Sequence, residues 1–247
     1  MSITNRTHIV EVRGDFACFS RPEMKVERFS YPCPTPSAAR GIFDAIYCKG
    51  WDRCTGDSQF YWQVEKIEIL NKPEFIALRR NEVGSKMSVA NVNKWIKGSV
   101  QPLPLMADDS TQRQQRQSIA IRNPKYRLHA HIVPREKYVK EVPAYNSQFE
   151  RRAKQGKTFQ QPYFGCREFV AYYRYLENLD NEPKAIDYSQ DMGKMLYDVF
   201  DLCTVNNCYA KPYISVFQAE IKNGVLEIPP FESDMVLKPE SAGRRGV

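Results

Sequence analysis

Alternation sets the first element of this chain. In "THIVEVRGDFACF" (residues 7–19), Ile9, Glu11 and Arg13 fall on one side of a strand and Val10 and Val12 on the other, until Gly14-Asp15 breaks or bulges it. A helix signal follows in "TPSAARGIFDAIYCK", with Thr35 as N-cap and Pro36 at the first helical position, which predicts a helix over 36–48. Steps of about 100° gather Ala38, Ala39, Ile42, Ala45 and Ile46 into an apolar stripe, with Phe43 at its flank and Arg40, Asp44 and Tyr47 opposite. "FYWQVEKIEIL" and "EFIALRRNEV" read as strands separated by Asn71-Lys72-Pro73. Residues 98–117 are polar, hold two prolines and predict a loop.

"SIAIR" and "YRLHAHIV" flank Asn123-Pro124-Lys125 and predict a hairpin, whose second strand turns Tyr126, Leu128, Ala130 and Ile132 one way and Arg127, His129 and His131 the other. "AYNSQFERRAKQG" predicts a short helix closed by Gly156 at C′. Beyond 190, "DMGKMLYDVFD", "KPYISVFQAEI" and "VLEIPP" are strand-like, Asn223-Gly224 marks a hairpin turn, and the tail from about 238 reads as frayed. Strands around two helices point to an α+β fold. The expected core is ferredoxin-like, βαββαβ (RRM-like, RAMP-type), over residues 1–175, with a small antiparallel β domain over 176–247.

Charge then changes the picture. Residues 176–247 hold 7 Lys+Arg against 12 Asp+Glu, and the first 175 hold 29 against 17. A cationic region of that size favours a polyanion, because neutralised phosphates release condensed counterions. In "SRPEMKVERFSY", Arg21, Lys25 and Arg28 alternate with Phe29 and Tyr31 close behind Phe19, the cation-and-ring mixture that single-stranded RNA recognition uses. Arg40, Arg79, Arg80, Arg151, Arg152 and Arg167 extend the candidate RNA-binding set.

The sequence shows no uninterrupted apolar run of transmembrane length and no secretory pattern, so the cytoplasm is expected, with no membrane contact. Seven scattered cysteines without a C-x-x-C pair read as reduced thiols, and no metal or cofactor is expected. His129 and His131 share a strand face and are candidate acid–base groups, with structural hydrogen bonding as the plainer reading.

Three blocks in order, "GDFACFSRPEMKVERFSYPCPTPSAARGIFDAIYCK", "RRNEV" and "RRAKQGKTFQQPYFGCREF", resemble the Cas-five proteins of type I-C CRISPR systems, over about residues 8–175. The resemblance implies metal-independent cleavage of precursor CRISPR RNA at the base of the repeat hairpin, by attack of a ribose 2′-hydroxyl on its own phosphate. It also implies retention of the 5′ handle of the mature guide RNA, beside the large and backbone subunits of Cascade and, through that complex, target DNA. The family's active-site tyrosine falls on Tyr47. A lysine followed by His or Tyr falls on Ala144 and Tyr145, so the lysine slot is empty, and Lys140 is the substitute four residues earlier. A binding-only Cascade subunit and a nonspecific nucleic-acid binder are the alternatives.

Overall fold

A computed structural model describes residues 6–24, 27–50, 58–84, 87–99, 101, 106–203 and 212–239. Its strands are β1 (His8–Arg13), β2 (Phe16–Ala17), β3 (Arg28–Phe29), β4 (Phe60–Ile69), β5 (Glu74–Val83), β6 (Arg113–Arg122), β7 (Lys125–Pro134), β8 (Tyr172–Leu176), β9 (Gln190–Asp198), β10 (Ser215–Lys222), β11 (Val225–Glu227) and β12 (Val236–Leu237). The helices are α1 (Pro36–Ile46), α2 (Val89–Ile96) and α3 (Val142–Lys154), with a 3₁₀ turn at Glu136–Glu141 leading into α3. None of the described helices is long and apolar enough to cross a membrane.

The larger sheet runs β12-β10-β11-β4-β7-β1-β8, with β9 on the other side of β10. Its pairings are antiparallel, and its centre has the order β4-β7-β1-β8. In the smaller sheet β6 carries β5 along its whole length on one side, and β2 and β3 on the other, β3 parallel. The boundary expected at 175 falls in β8, and the strands beyond it continue the larger sheet where β11 pairs with β4. The turn at Asn223-Gly224 has φ of 49° and 77°, the left-handed pair that closes a two-residue hairpin between β10 and β11.

Period-two burial explains the core. Val10 and Val12 of β1, Trp62, Val64 and Ile67 of β4, and Leu128, Ala130 and Ile132 of β7 are all buried. The slip from Val64 to Ile67 is a bulge that leaves Glu65 without a ladder partner. Trp62 centres an aromatic group with Phe43 (4.9 Å) and Phe149 (4.6 Å), which joins α1 and α3 to the sheet. Phe43 is therefore core, not flank. Thr35 caps α1 by accepting from the Ala38 N–H at 3.2 Å, a bond worth about 1 kcal/mol.

Three expectations change. β6 and β7 are not a hairpin: they belong to different sheets, and the turn between them hands the chain from one to the other. Asn123 (φ 48°) donates to Asp15 O at 2.8 Å, so the turn locks onto the break after β1 instead of pairing its own flanks. The predicted loop over 98–117 ends in strand, since Arg113–Gln117 pair with Val83–Arg79; a ladder with solvent on both faces needs no apolar alternation. Helix α2 was not anticipated, and none of its residues is buried.

Candidate functional site

Tyr47 follows the last residue of α1 and leaves helical geometry (φ −155°, ψ 121°), so its side chain does not continue the wheel toward Arg40 and Asp44. Its ring turns inward and packs against Phe60 at 5.6 Å, leaving 9% of the residue exposed. Its carbonyl accepts from Trp62 Nε1 at 3.0 Å, which pins the backbone there. Tyr145, in the first turn of α3, approaches the same Phe60 ring at 5.1 Å and donates its hydroxyl to Gln59 Oε1 at 2.7 Å. Lys49 lies over the Tyr145 ring at 5.3 Å. The two tyrosines from separate helices thus meet across one phenylalanine.

Burial raises the pKa of both phenols. At Tyr47 the neighbouring Tyr145 adds to that effect and Arg152 opposes it without overcoming it. Both hydroxyls therefore stay protonated at neutral pH, as donors and not phenolates. Ala144 and Lys140 are exposed beside this pair in sequence, Lys140 in the last turn of the 3₁₀ segment.

Arg152 donates from Nε to Ile46 O at 2.8 Å, satisfying one of the carbonyls left open at the end of α1. Arg151 is exposed and bonds Gln148 within its own helix at 2.8 Å. Arg40 donates to Asp198 at 3.0 and 2.7 Å and to Asp44 at 3.1 Å, tying α1 to β9. Burial lifts the Asp44 carboxyl to about 6, with Arg40 opposing the shift.

Of the remaining expected cations, Arg28 lies on β3 and Arg79 and Arg80 on β5 of the smaller sheet, where Arg116 of β6, not among those expected, joins them. Arg28, Arg80 and Arg116 approach the single carboxylate of Glu82 at 3.6, 3.8 and 3.7 Å, at charge-pair rather than hydrogen-bond distance. Arg80 also pairs with Glu168. Three guanidiniums against so few carboxylates leave a surplus of positive charge on one face. Arg79 and Arg167 are exposed near these residues in sequence, and Lys25 lies outside the described residues. Arg21 stacks over Tyr31 (4.7 Å) and Phe29 (5.4 Å). Phe19 and Tyr31 are buried, so of the rings expected to stack on bases only Phe29 keeps partial exposure.

His129 Nε2 lies 3.0 Å from Glu68 Oε1, and His131 Nδ1 lies 2.7 Å from the bulged Glu65 Oε1, partners that suit the plainer structural reading. Among the described residues, no group of three or more His, Cys, Asp or Glu could hold a metal ion. Gln59 and Lys49 were missed by sequence reading, since neither carries a motif; only the proximity of each to Tyr145 in the fold marks it.

A family profile described as CRISPR-associated protein (Cas_Cas5), with the name Cas_Cas5d, matches residues 8–227. A protein of Mannheimia succiniciproducens named CRISPR pre-crRNA endoribonuclease Cas5d is 37% identical over 243 residues, covering 95% of this chain and 99% of that one. A namesake from Thermus thermophilus is 35% identical over 254 residues, covering 96% and 97%. Among solved structures, one titled as a CRISPR-associated protein aligns with a TM-score of 0.61 at 18% identity, over 94% of this chain and 96% of its own, which extends the likeness to the fold. With matches spanning nearly its whole length, this chain belongs to the CRISPR-associated Cas5 family.

Proposed function

We propose that this chain is an endoribonuclease that cuts precursor CRISPR RNA at the base of the repeat hairpin without a metal, and then holds the 5′ handle as a type I-C Cascade subunit. The observation that carries the reading is the meeting of Tyr47 and Tyr145 across Phe60, with Lys49 over the second ring, in a chain whose relatives bear the name of that activity. In the reaction the ribose 2′-oxygen attacks the adjacent phosphorus, a base takes the 2′ proton, and the 5′-oxygen leaves with a proton from a donor. The products are a 2′,3′-cyclic phosphate and a 5′-hydroxyl. Phenols kept protonated by burial suit the donor step and hydrogen bonds to the phosphorane oxygens. Tyr145 is 1% exposed and donates to Gln59 in the RNA-free chain, so cleavage requires Gln59 to move aside and a phosphate oxygen to take its place.

In this reading Lys140 or Lys49 supplies the cation that the exposed Ala144 cannot. Arg28, Arg80 and Arg116, with Arg79, Arg151 and Arg167, carry the RNA backbone. The order β4-β7-β1-β8, with α1 after β1 and α3 after β7, supports a ferredoxin-like, RRM-like reading of residues 1–175, with 176–247 as the smaller antiparallel part. The partners are the repeat hairpin, mature guide RNA, the large and backbone subunits of Cascade, and target DNA within that complex; the place of action is the cytoplasm.

One observation favours a second reading. A methyl group at position 144 cannot donate a proton or stabilise charge, so a binding-only subunit would show tight, salt-sensitive hairpin affinity without a cut. Comparing wild type with Ala144→Lys on labelled repeat hairpin separates the two. A discrete wild-type cut, faster in the variant, supports the nuclease; binding with no cut in wild type and cutting only in the variant supports the second reading.

A further inference from the structure

Between β2 and the segment before β8, the chain makes an unusually close approach. Cys18 N–H donates to Phe164 O at 3.0 Å, and Gly165 (φ 79°) lies so near that a Cβ there would sit 2.0 Å from Cys18 O. Only glycine fits at that point. The approach brings Cys166, next in sequence to Gly165, alongside Cys18. Around the pair, Arg28 donates to Cys166 Sγ at 3.6 Å, Ser20 Oγ lies 3.6 Å from Cys18 Sγ, and Arg80 adds positive charge from β5. Cys18 also lines a cavity of about 410 Å³ with Ser20, Ser37, Tyr163 and Leu196, which is room for a small oxidant beside an otherwise enclosed sulfur.

We propose that Cys18 is an oxidative modification site for hydroperoxides and that Cys166 resolves it into a reversible disulfide. Cys18 takes the first role because it lines the cavity. The neighbouring Cys166, with Ser20, Arg28 and Arg80, lowers the Cys18 thiol below its usual range. The Cys18 sulfur attacks one peroxide oxygen, the O–O bond breaks, and hydroxide leaves with a sulfenic acid on Cys18. The Cys166 sulfur then attacks that sulfur, displacing its oxygen as water with the proton Cys166 gives up. Two thiols are oxidised and one peroxide is reduced to water. Cys33, buried and held at about 12, and Cys48, also raised to about 12, have no comparable surroundings among the described residues.

The test uses the full chain treated with equimolar hydrogen peroxide, alkylated, and digested without reductant. The expected product is a peptide pair joining Cys18 to Cys166, lighter by two hydrogens and released by dithiothreitol. In Cys166→Ser, a dimedone adduct should accumulate on Cys18 instead. Thermal melting of each variant confirms that it is folded. Joined peptides absent from the oxidised wild type, or a folded Cys166→Ser protein with no dimedone on Cys18, would overturn the proposal.

Discussion

Tyr47 shows what a residue's environment adds to its position. A wheel places it beside Arg40 and Asp44, but the 100° step holds only while the backbone is helical, and Tyr47 is already extended. The same three residues separate in role: Tyr47 turns to Phe60, while Arg40 bridges Asp44 to Asp198 of β9, a partner that no local pattern announces. Asp198 is 1% exposed and accepts two bonds from Arg40, so Asp198→Ala leaves a largely buried guanidinium with Asp44 alone. A loss of about 3 kcal/mol is expected in urea unfolding. Asp44 has its own signature. Its folded pKa lies above the unfolded 3.8 at about 6, so its contribution to stability is full below about pH 4 and is lost as pH rises through about 6. Wild type should therefore lose up to about 3 kcal/mol relative to Asp44→Asn across that window, measured as unfolding free energy against pH. Parallel curves would mean that Asp44 is not buried as described.

At the scale of elements, the paired arginines of α3 divide by what they touch. Arg152 bonds the end of α1 and Arg151 faces solvent, although both sit in one basic run. Arg152→Ala should lower stability by about 1–2 kcal/mol through the orphaned Ile46 carbonyl, with little change in the salt dependence of RNA binding. Arg151→Ala should leave the melting temperature in place, weaken hairpin binding and reduce the salt slope by about one. Strands and caps were readable where the signal is local: Thr35-Pro36 starts α1 and Asn223-Gly224 closes the β10–β11 turn, as their chemistry requires. Pairing was not readable in the same way. A turn at Asn123-Pro124 reverses the chain, but the partner of β6 is β5, separated in sequence by the segment that contains α2. Helix α2 escaped notice because it buries nothing, so no core demands its apolar positions.

For the whole molecule, the proposed RNA surface is one face of the smaller sheet. Arg28, Arg80 and Arg116 converge on Glu82 on the smaller sheet, whereas Arg40 is held by Asp44 and Asp198. Replacing Arg80 and Arg116 together should therefore weaken hairpin binding more than ten-fold and flatten its salt dependence, read by titration at several salt concentrations. An unchanged slope would move the RNA elsewhere. The larger sheet, continuous from β8 to β12, fixes α1 and α3 against one another and so sets the two tyrosines on either side of Phe60. The central claim is that this pair cuts RNA by internal attack. Its most direct test incubates labelled repeat hairpin with wild type and Tyr47→Phe in excess chelator and analyses the 3′ end of the product. A discrete cut ending in a 2′,3′-cyclic phosphate, slowed at least ten-fold by Tyr47→Phe, is the predicted result; a cut that needs added metal, or one indifferent to Tyr47, would contradict it.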